Sequence, residues 1–215
     1  MKTPPLINLI LSLLLPLVIG VGADAQDRPV TVRAGLLIDG TGETRRNARI
    51  FIENGKITRI DGLRGAVTHD LSNLTVMPGW IDTHVHLASH FDLDGRLHQT
   101  KTKESQGQAM LYAVANAYRT LMAGFTTVQS LGSPLDLDLR DWIERGELPG
   151  PRILTSIRPV NAETGNVDMI RRFVQQLSAD GADVVKIFAS ASIRDGGNRV
   201  MSDPQIKAAC EEATA

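Results

Sequence analysis

The sequence predicts an α/β fold, a parallel sheet flanked by helices and preceded by a unit of strands. Two patterns predict it. Residues 30–74 are dense in β-branched and alternating apolar residues and carry an Asn54-Gly55 pair between two such runs, the strongest short-range hairpin signal. After Pro78, strand-like and helix-like segments alternate four times, which is the pattern of a parallel sheet with helices packed outside it.

The first 25 residues stand apart. Lys2 precedes a leucine-rich apolar run from Leu6 to Ile19, and Ala23-Asp24-Ala25 supplies a small-x-small cleavage pattern. Residues 1–25 are therefore expected to be a signal peptide, with the mature chain starting at Gln26 in the periplasm or outside the cell. The run is short for a bilayer span and Pro16 interrupts it, so no stable membrane anchor is expected. No cysteine follows the cleavage pattern, which argues against a lipoprotein.

Residues 26–77 then read as strands. Val30-Thr31-Val32 leads into Leu36-Leu37-Ile38, a turn follows at Asp39-Gly40-Thr41-Gly42, and Ala48–Glu53 pairs back on Lys56–Ile60. So few strand residues bury little core alone, so the unit must lean on something else. Residues 78–215 hold the alternating part. Strands are expected at Trp80–Leu87, Phe125–Val128, Arg152–Thr155 and Asp183–Phe188. Helices are expected over Lys101–Met122, Leu137–Arg145 and Val167–Ala179, with a last one opened by Ser202-Asp203-Pro204 and capped at or near the Asp. In the first helix Met110, Leu111, Val114, Ala117, Tyr118 and Leu121 recur at helical spacing; in the third Ile170, Phe173, Val174 and Leu177 do. A closed barrel and a doubly wound open sheet both fit. No glycine-rich dinucleotide fingerprint follows a strand, which weakens the open sheet.

Composition excludes several functions. The formal net charge is −1, and the basic residues are scattered, Arg45-Arg46 and Arg171-Arg172 being only pairs. A nucleic-acid partner would need them clustered. Cys210 is the sole cysteine, which rules out an internal disulfide and a cysteine-based zinc cluster. It reads as a buried, inert thiol on a helix.

Chemistry concentrates in Asp82-Thr83-His84-Val85-His86. Residues two apart on a strand share a face, so His84 and His86 project together and can reach one metal ion. Asp82 shares that face and could orient a ligating imidazole. Lys186 interrupts the apolar run Val184-Val185-Lys186-Ile187-Phe188, where an ammonium is costly without a partner. It reads as a strand-edge lysine reaching water or as a lysine at an active-site end. His90 and His98 fall in a loop, Ala88–Gln99, and are expected at the surface, as is His69. Ser130, Ser156 and Ser190 end strands without a G-x-S-x-G elbow, so a serine hydrolase is not expected.

The stretch Val76-Met77-Pro78-Gly79-Trp80-Ile81-Asp82-Thr83-His84-Val85-His86 resembles the PGxIDxHxH signature of the amidohydrolase superfamily. Ala123–Val128, Gly150–Ser156 and Gly181–Ile187 resemble the second, third and fourth strands of its imidazolonepropionase and Xaa-Pro dipeptidase-like branch, and the Asn54-Gly55 hairpin resembles its N-terminal sandwich. The resemblance runs from about residue 30 to 215. It implies an incomplete TIM-type (β/α) barrel of about four βα units, preceded by part of a β-sandwich. It implies His84, His86 and a carboxylated Lys186 as ligands of one or two divalent ions, zinc foremost, and no further catalytic residue within this chain. The reaction implied is hydrolysis of a C–N amide bond by metal-activated hydroxide, dipeptidase-like on Xaa-Pro or related small peptides. Alternatives are a cyclic-amide hydrolase of the imidazolonepropionase type, which the export signal disfavours, and a catalytically inactive secreted fragment. Two departures bear on the substrate: Gln129-Ser130 stands where the branch often has Arg-Asp, and Asn161–Asn166 lacks the histidine that often follows strand three. A barrel of this type takes about 250 residues. The 215 residues alone are therefore expected to bind metal weakly and not to turn over, unless copies complete one another as an oligomer.

Overall fold

The computed structural model describes residues 28–62, 64–98 and 104–215. The expected signal peptide and the first three residues of the expected Lys101–Met122 helix lie outside them. The chain divides into two compact units, Met1–Pro78 and Gly79–Ala215.

In the first unit, β1 (Val30–Ile38), β2 (Thr44–Glu53), β3 (Lys56–Asp61) and β4 (His69–Val76) form one sheet in the order β3-β2-β1-β4. β1, β2 and β3 pair antiparallel in sequence, and β4 joins β1 in parallel. The β2–β3 turn takes φ of 51° at Asn54 and 70° at Gly55. Positive φ at both central residues is the requirement of a type I′ hairpin, which the Asn-Gly pair meets at low steric cost. Ala34, Leu37, Ala48 and Ile50 are buried, with Val32, Ile52, Ile60 and Val76 packed against them. Arg49 crosses the sheet to Asp61 through two hydrogen bonds, at 3.0 and 3.3 Å. Its guanidinium therefore has a carboxylate beside it although the residue is nearly buried. His69 is exposed, as expected. The β1–β4 register shifts at Gly35. A Cβ there would stand 2.1 Å from the Ser72 carbonyl oxygen, so only glycine lets the strands approach.

The second unit begins with β5 (Trp80–Val85). The loop after it folds into the two-residue strands β6 (His90–Phe91) and β7 (Leu97–His98), which pair antiparallel. Then come α1 (Gln106–Met122), β8 (Phe125–Ser130), α2 (Leu135–Glu144), β9 (Arg152–Thr155), α3 (Val167–Ala179) and α4 (Asp203–Ala213). β5, β8 and β9 form a parallel sheet in that order. The mixed α/β character and the strand–helix alternation agree with the sequence. Gly79 fits against the sheet for a steric reason: a Cβ on it would lie 2.1 Å from Thr126 Oγ1.

Helix boundaries follow their caps. Ser105 accepts the Gln108 N–H at the start of α1, and Asn166 accepts the Met169 N–H at the start of α3. α4 is capped by Ser202 paired with Gln205, a capping box, so Asp203 is its first residue and not its cap. Ile170, Val174 and Leu177 of α3 are buried against Ala208 and Ala209 of α4. Arg171 adds ion pairs to Glu211 and Glu212. Two expectations about helix faces need correction. Leu111 and Tyr118 are exposed; the sheet covers only the part of α1 around Ala113 and Ala117. Cys210 is exposed, because α4 spends its buried face on Ala208 and Ala209 and the next residue turns about 100° further round the helix. Among the described residues no helix is long and apolar enough to cross a membrane.

The expected fourth strand, Asp183–Phe188, is reduced to a single parallel bridge between Val160 and Ile187. The Val160 N–H donates to the Lys186 carbonyl at 2.7 Å, and the Phe188 N–H donates to the Val160 carbonyl at 2.8 Å. The ladder cannot run on from β9, because Ile157 takes a φ of 57° and Pro159 has no N–H.

Beneath this break lies a buried carboxylate. Asp136, in the first turn of α2, is fully buried and accepts a hydrogen bond from the Thr155 hydroxyl at 3.2 Å. Burial pushes its carboxyl up to about 6, against the pull of the Ser130 and Thr155 hydroxyls. The folded state thus holds this proton more tightly than the unfolded chain does, and folding loses stability as pH rises from about 4 through 6.

Two outcomes are expected. Asp136→Asn does not titrate, so its stability relative to the parent should improve by about 2 kcal/mol between pH 4.5 and pH 7.5 in urea titrations; an unchanged difference would mean that the carboxyl titrates normally. Gly35→Ala should lower the stability of the first unit by about 1–3 kcal/mol, because a backbone oxygen occupies the place of the new methyl. Thermal melts that match the parent would contradict this.

Candidate active site at the end of the first parallel strand

β5 delivers His84 near its C-terminal end, and His86 follows one residue beyond it. The β5–β8 register slips between Asp82 and Val85, so three steps on β5 match two on β8. Asp82 accounts for the slip: its Oδ1 accepts the His84 backbone N–H at 3.0 Å. Asp82 therefore shapes the backbone at the bulge, and its carboxylate bonds the main chain rather than an imidazole, unlike the role expected for it.

Despite the bulge, the two imidazoles stay together, with ring centroids 5.3 Å apart at an interplanar angle of 67°. Both residues are exposed. Lys186 reaches the same place from the segment beside Val160, and its Nζ lies 3.5 Å from His84 Nε2. Lys186 is half-buried, and its Nζ also lies 5.3 Å from the Phe188 ring centroid. A lysine ammonium can only donate, so against an ammonium His84 Nε2 would turn its lone pair toward Lys186. His86 keeps much of its surface in contact with water. Even so, partial desolvation, helped by the charges of His84 and Lys186, holds its imidazole below the usual value. The structure thus brings His84, His86 and Lys186 to one side of the sheet.

The strand end is tied down by Ser130, read from the sequence only as a serine that ends a strand, and by Asn116, which the sequence did not single out. Ser130 is fully buried, and its hydroxyl accepts the Leu87 N–H at 3.3 Å. The Leu131 N–H donates to the Val85 carbonyl at 2.9 Å. Asn116, from the middle of α1, donates to the Leu87 and Ser89 carbonyls at 2.9 and 3.0 Å. A polar residue interrupting the apolar stripe of an amphipathic helix was the available signal for Asn116. Ser130 serves the backbone; Ser156 is also buried and Ser190 exposed.

His90 and His98 are not surface residues. His90 is buried, stacked on the Tyr112 ring at 3.5 Å and on His98 at 5.0 Å, with its Nε2 3.3 Å from Glu104. His98 is half-buried, and its Nε2 contacts Asp92 at 3.0 Å. The β6–β7 hairpin folds the loop back on α1, a fold that local sequence does not announce.

The chain is similar to a crystal structure of a Xaa-Pro dipeptidase with bound methionine: 25% identity, TM-score 0.76, covering 87% of this chain and 54% of that one. It is similar in fold to the ochratoxinase of A. niger, at 19% identity and TM-score 0.70, covering 87% of this chain and 53% of that one. Over 67 residues it is 36% identical to a D-aminoacylase of Alcaligenes xylosoxydans xylosoxydans, covering 30% of this chain and 14% of that protein. The chain thus spans about half the length of the solved relatives it matches. The sequence model of the amidohydrolase family matches residues 75–215, most of the chain, and the chain belongs to that family.

Proposed function

We propose that the protein is a metal-dependent amidohydrolase that cleaves C–N amide bonds, dipeptidase-like on Xaa-Pro or related small peptides, and that it acts after export. The observation that carries this reading is the meeting of His84, His86 and Lys186 at the C-terminal end of β5, the end at which barrel enzymes build their sites. The similarity to a Xaa-Pro dipeptidase and a D-aminoacylase supports the bond class. We read the sheet of the first unit as part of a β-sandwich and the second unit as the opening portion of the barrel.

The donor set suits a divalent ion such as zinc. Two imidazoles lie together, and Lys186 Nζ stands 3.5 Å from His84 Nε2. Lys186 as an ammonium would repel a cation. As a carbamate it would be an anion with two oxygen donors, and among the described residues no carboxylate forms an ion pair with it. A divalent ion held there would supply Lewis-acid chemistry, polarising the amide carbonyl and lowering the pKa of water. The chain's own work is placement: His84 and His86 present imidazole nitrogens, and Asp82 sets the bulge from which His84 projects. Ser130 and Asn116 hold the backbone behind them.

The test uses the gene product that carries these residues, loaded with zinc or manganese in bicarbonate and assayed on dipeptides and cyclic amides. Xaa-Pro dipeptides should be cleaved, and His84→Ala should lower turnover by more than about 100-fold, beyond the loss typical of a metal's outer partners. With ¹³C-bicarbonate, a carbamate carbon signal should appear and vanish in Lys186→Ala. Turnover that survives both chelation and His84→Ala would sink the reading. Cleavage of cyclic amides alone would move the substrate class, and a zinc-loaded protein without turnover would favour a non-catalytic secreted chain.

A further inference from the structure

The loop between β5 and α1 holds a second cluster of ligating groups, separate from His84, His86 and Lys186. One donor atom from each of His90, His98 and Glu104 lies within 4.8 Å of the others. His90 Nε2 is 3.3 Å from Glu104 Oε1, and His98 Nδ1 is 4.0 Å from Glu104 Oε2. A tetrahedral zinc with bonds of about 2.0–2.1 Å separates its donors by about 3.4 Å, so these spacings suit an ion between them.

The outward nitrogens strengthen the case. His98 Nε2 lies 3.0 Å from Asp92 Oδ2, and His90 Nδ1 lies 3.5 Å from the Ala88 carbonyl oxygen. Both partners are acceptors, so in the tautomers that satisfy them the lone pairs of His98 Nδ1 and His90 Nε2 turn inward. A metal-bound imidazole is fixed in this way, its far nitrogen donating to a carboxylate or a carbonyl. His98 Nδ1 is buried and has no hydrogen-bond partner. In those tautomers two inward lone pairs stand beside a shielded carboxylate, an arrangement that a cation among them would satisfy. The surroundings are enclosed: the side chains of His90 and Glu104 are 5% and 12% exposed, and Tyr112 of α1 stacks on the His90 ring.

We propose that His90, His98 and Glu104 form a second divalent-metal site, of the two-imidazole, one-carboxylate type found at zinc sites, with Asp92 positioning His98. The ion would join the β6–β7 hairpin to the residue preceding the α1 cap, Ser105. It would thereby order the first loop at the same end of the sheet as His84 and His86. Three protein ligands leave one position open to water or to a group from a substrate.

The first site must be silenced to read the second. In the full chain carrying His84→Ala and His86→Ala, zinc binding is measured by competition with a chromophoric chelator, and cobalt binding by its visible d–d absorption. One equivalent of metal should remain, with the intense bands of a four-coordinate ion. Adding His98→Ala or Glu104→Gln should remove that equivalent, and Asp92→Asn should weaken it by about 10–100-fold. Two substitutions at the site guard against one that merely unfolds the chain, with circular dichroism checking each. A silenced chain that binds no zinc overturns the proposal, as does retained zinc indifferent to both His98→Ala and Glu104→Gln. Failure here leaves the His84 site untouched, because that site is tested by turnover and by the carbamate signal.

Discussion

Parallel pairing of β5, β8 and β9 is the constraint on which the rest of the second unit depends. Parallel strands run the same way, so all three end on one side, and the chain must leave each end through a loop. The backbone donors at those ends lose their ladder partners together. Each must find another, since an unpaired buried N–H is costly. Ser130 Oγ takes the Leu87 N–H, the Val85 carbonyl takes the Leu131 N–H, and Thr155 Oγ1 takes the Ile157 N–H at 2.9 Å. These satisfactions place the loops, and the first of them carries His86, His90 and His98.

The same constraint explains the polar interior beneath the strand ends. Ser130, Asp136 and Thr155 are fully buried. Asp183 accepts the Thr155 N–H at 2.9 Å and pairs with Arg140 at 2.9 Å. Arg140 also donates to the Gly181 carbonyl at 2.8 Å. Buried polar groups cost stability unless they are bonded. Here they bind α2 and the segment after α3 to the end of β9, where a positive φ at Ile157 has broken the regular ladder. Lys186 arrives beside His84 because this network, and the Val160 bridge beyond it, fixes the path of residues 183–188.

The two histidine groups of this unit are built differently. His84 and His86 are exposed and stand on a strand end; their proximity needs little more than the two-residue period of β structure. His90 and His98 are shielded and depend on a hairpin, on Tyr112 and on Glu104, which come from separate parts of the chain. The first pair lies open to water, as the proposed metal site requires. The second faces inward and couples the loop to α1.

By itself the sequence determined whatever short-range chemistry governs. The Asn54-Gly55 turn, the caps at Ser105 and Asn166, the α3 stripe and the shared direction of His84 and His86 are decided by neighbours a few residues away. Of these, the turn, the α3 stripe and the shared direction of the two histidines were read from the sequence; the two caps emerged with the structure. The strand–helix alternation was read from the sequence too, because hydrophobic period follows backbone geometry. Tertiary structure decided what depends on distant partners. Cys210, Leu111 and Tyr118 face water because no element covers them, and a sequence shows only that they are apolar. The Asp183–Phe188 run has the composition of a strand but lost its ladder to Ile157 and Pro159 on the neighbouring segment. His90 and His98 read as surface loop residues because their burial comes from Tyr112 and Glu104, brought back by a hairpin too short to leave a periodic signal. Asp136 sits on a polar stretch that gave no hint of burial; only packing against Thr155 removed it from water and raised its affinity for a proton.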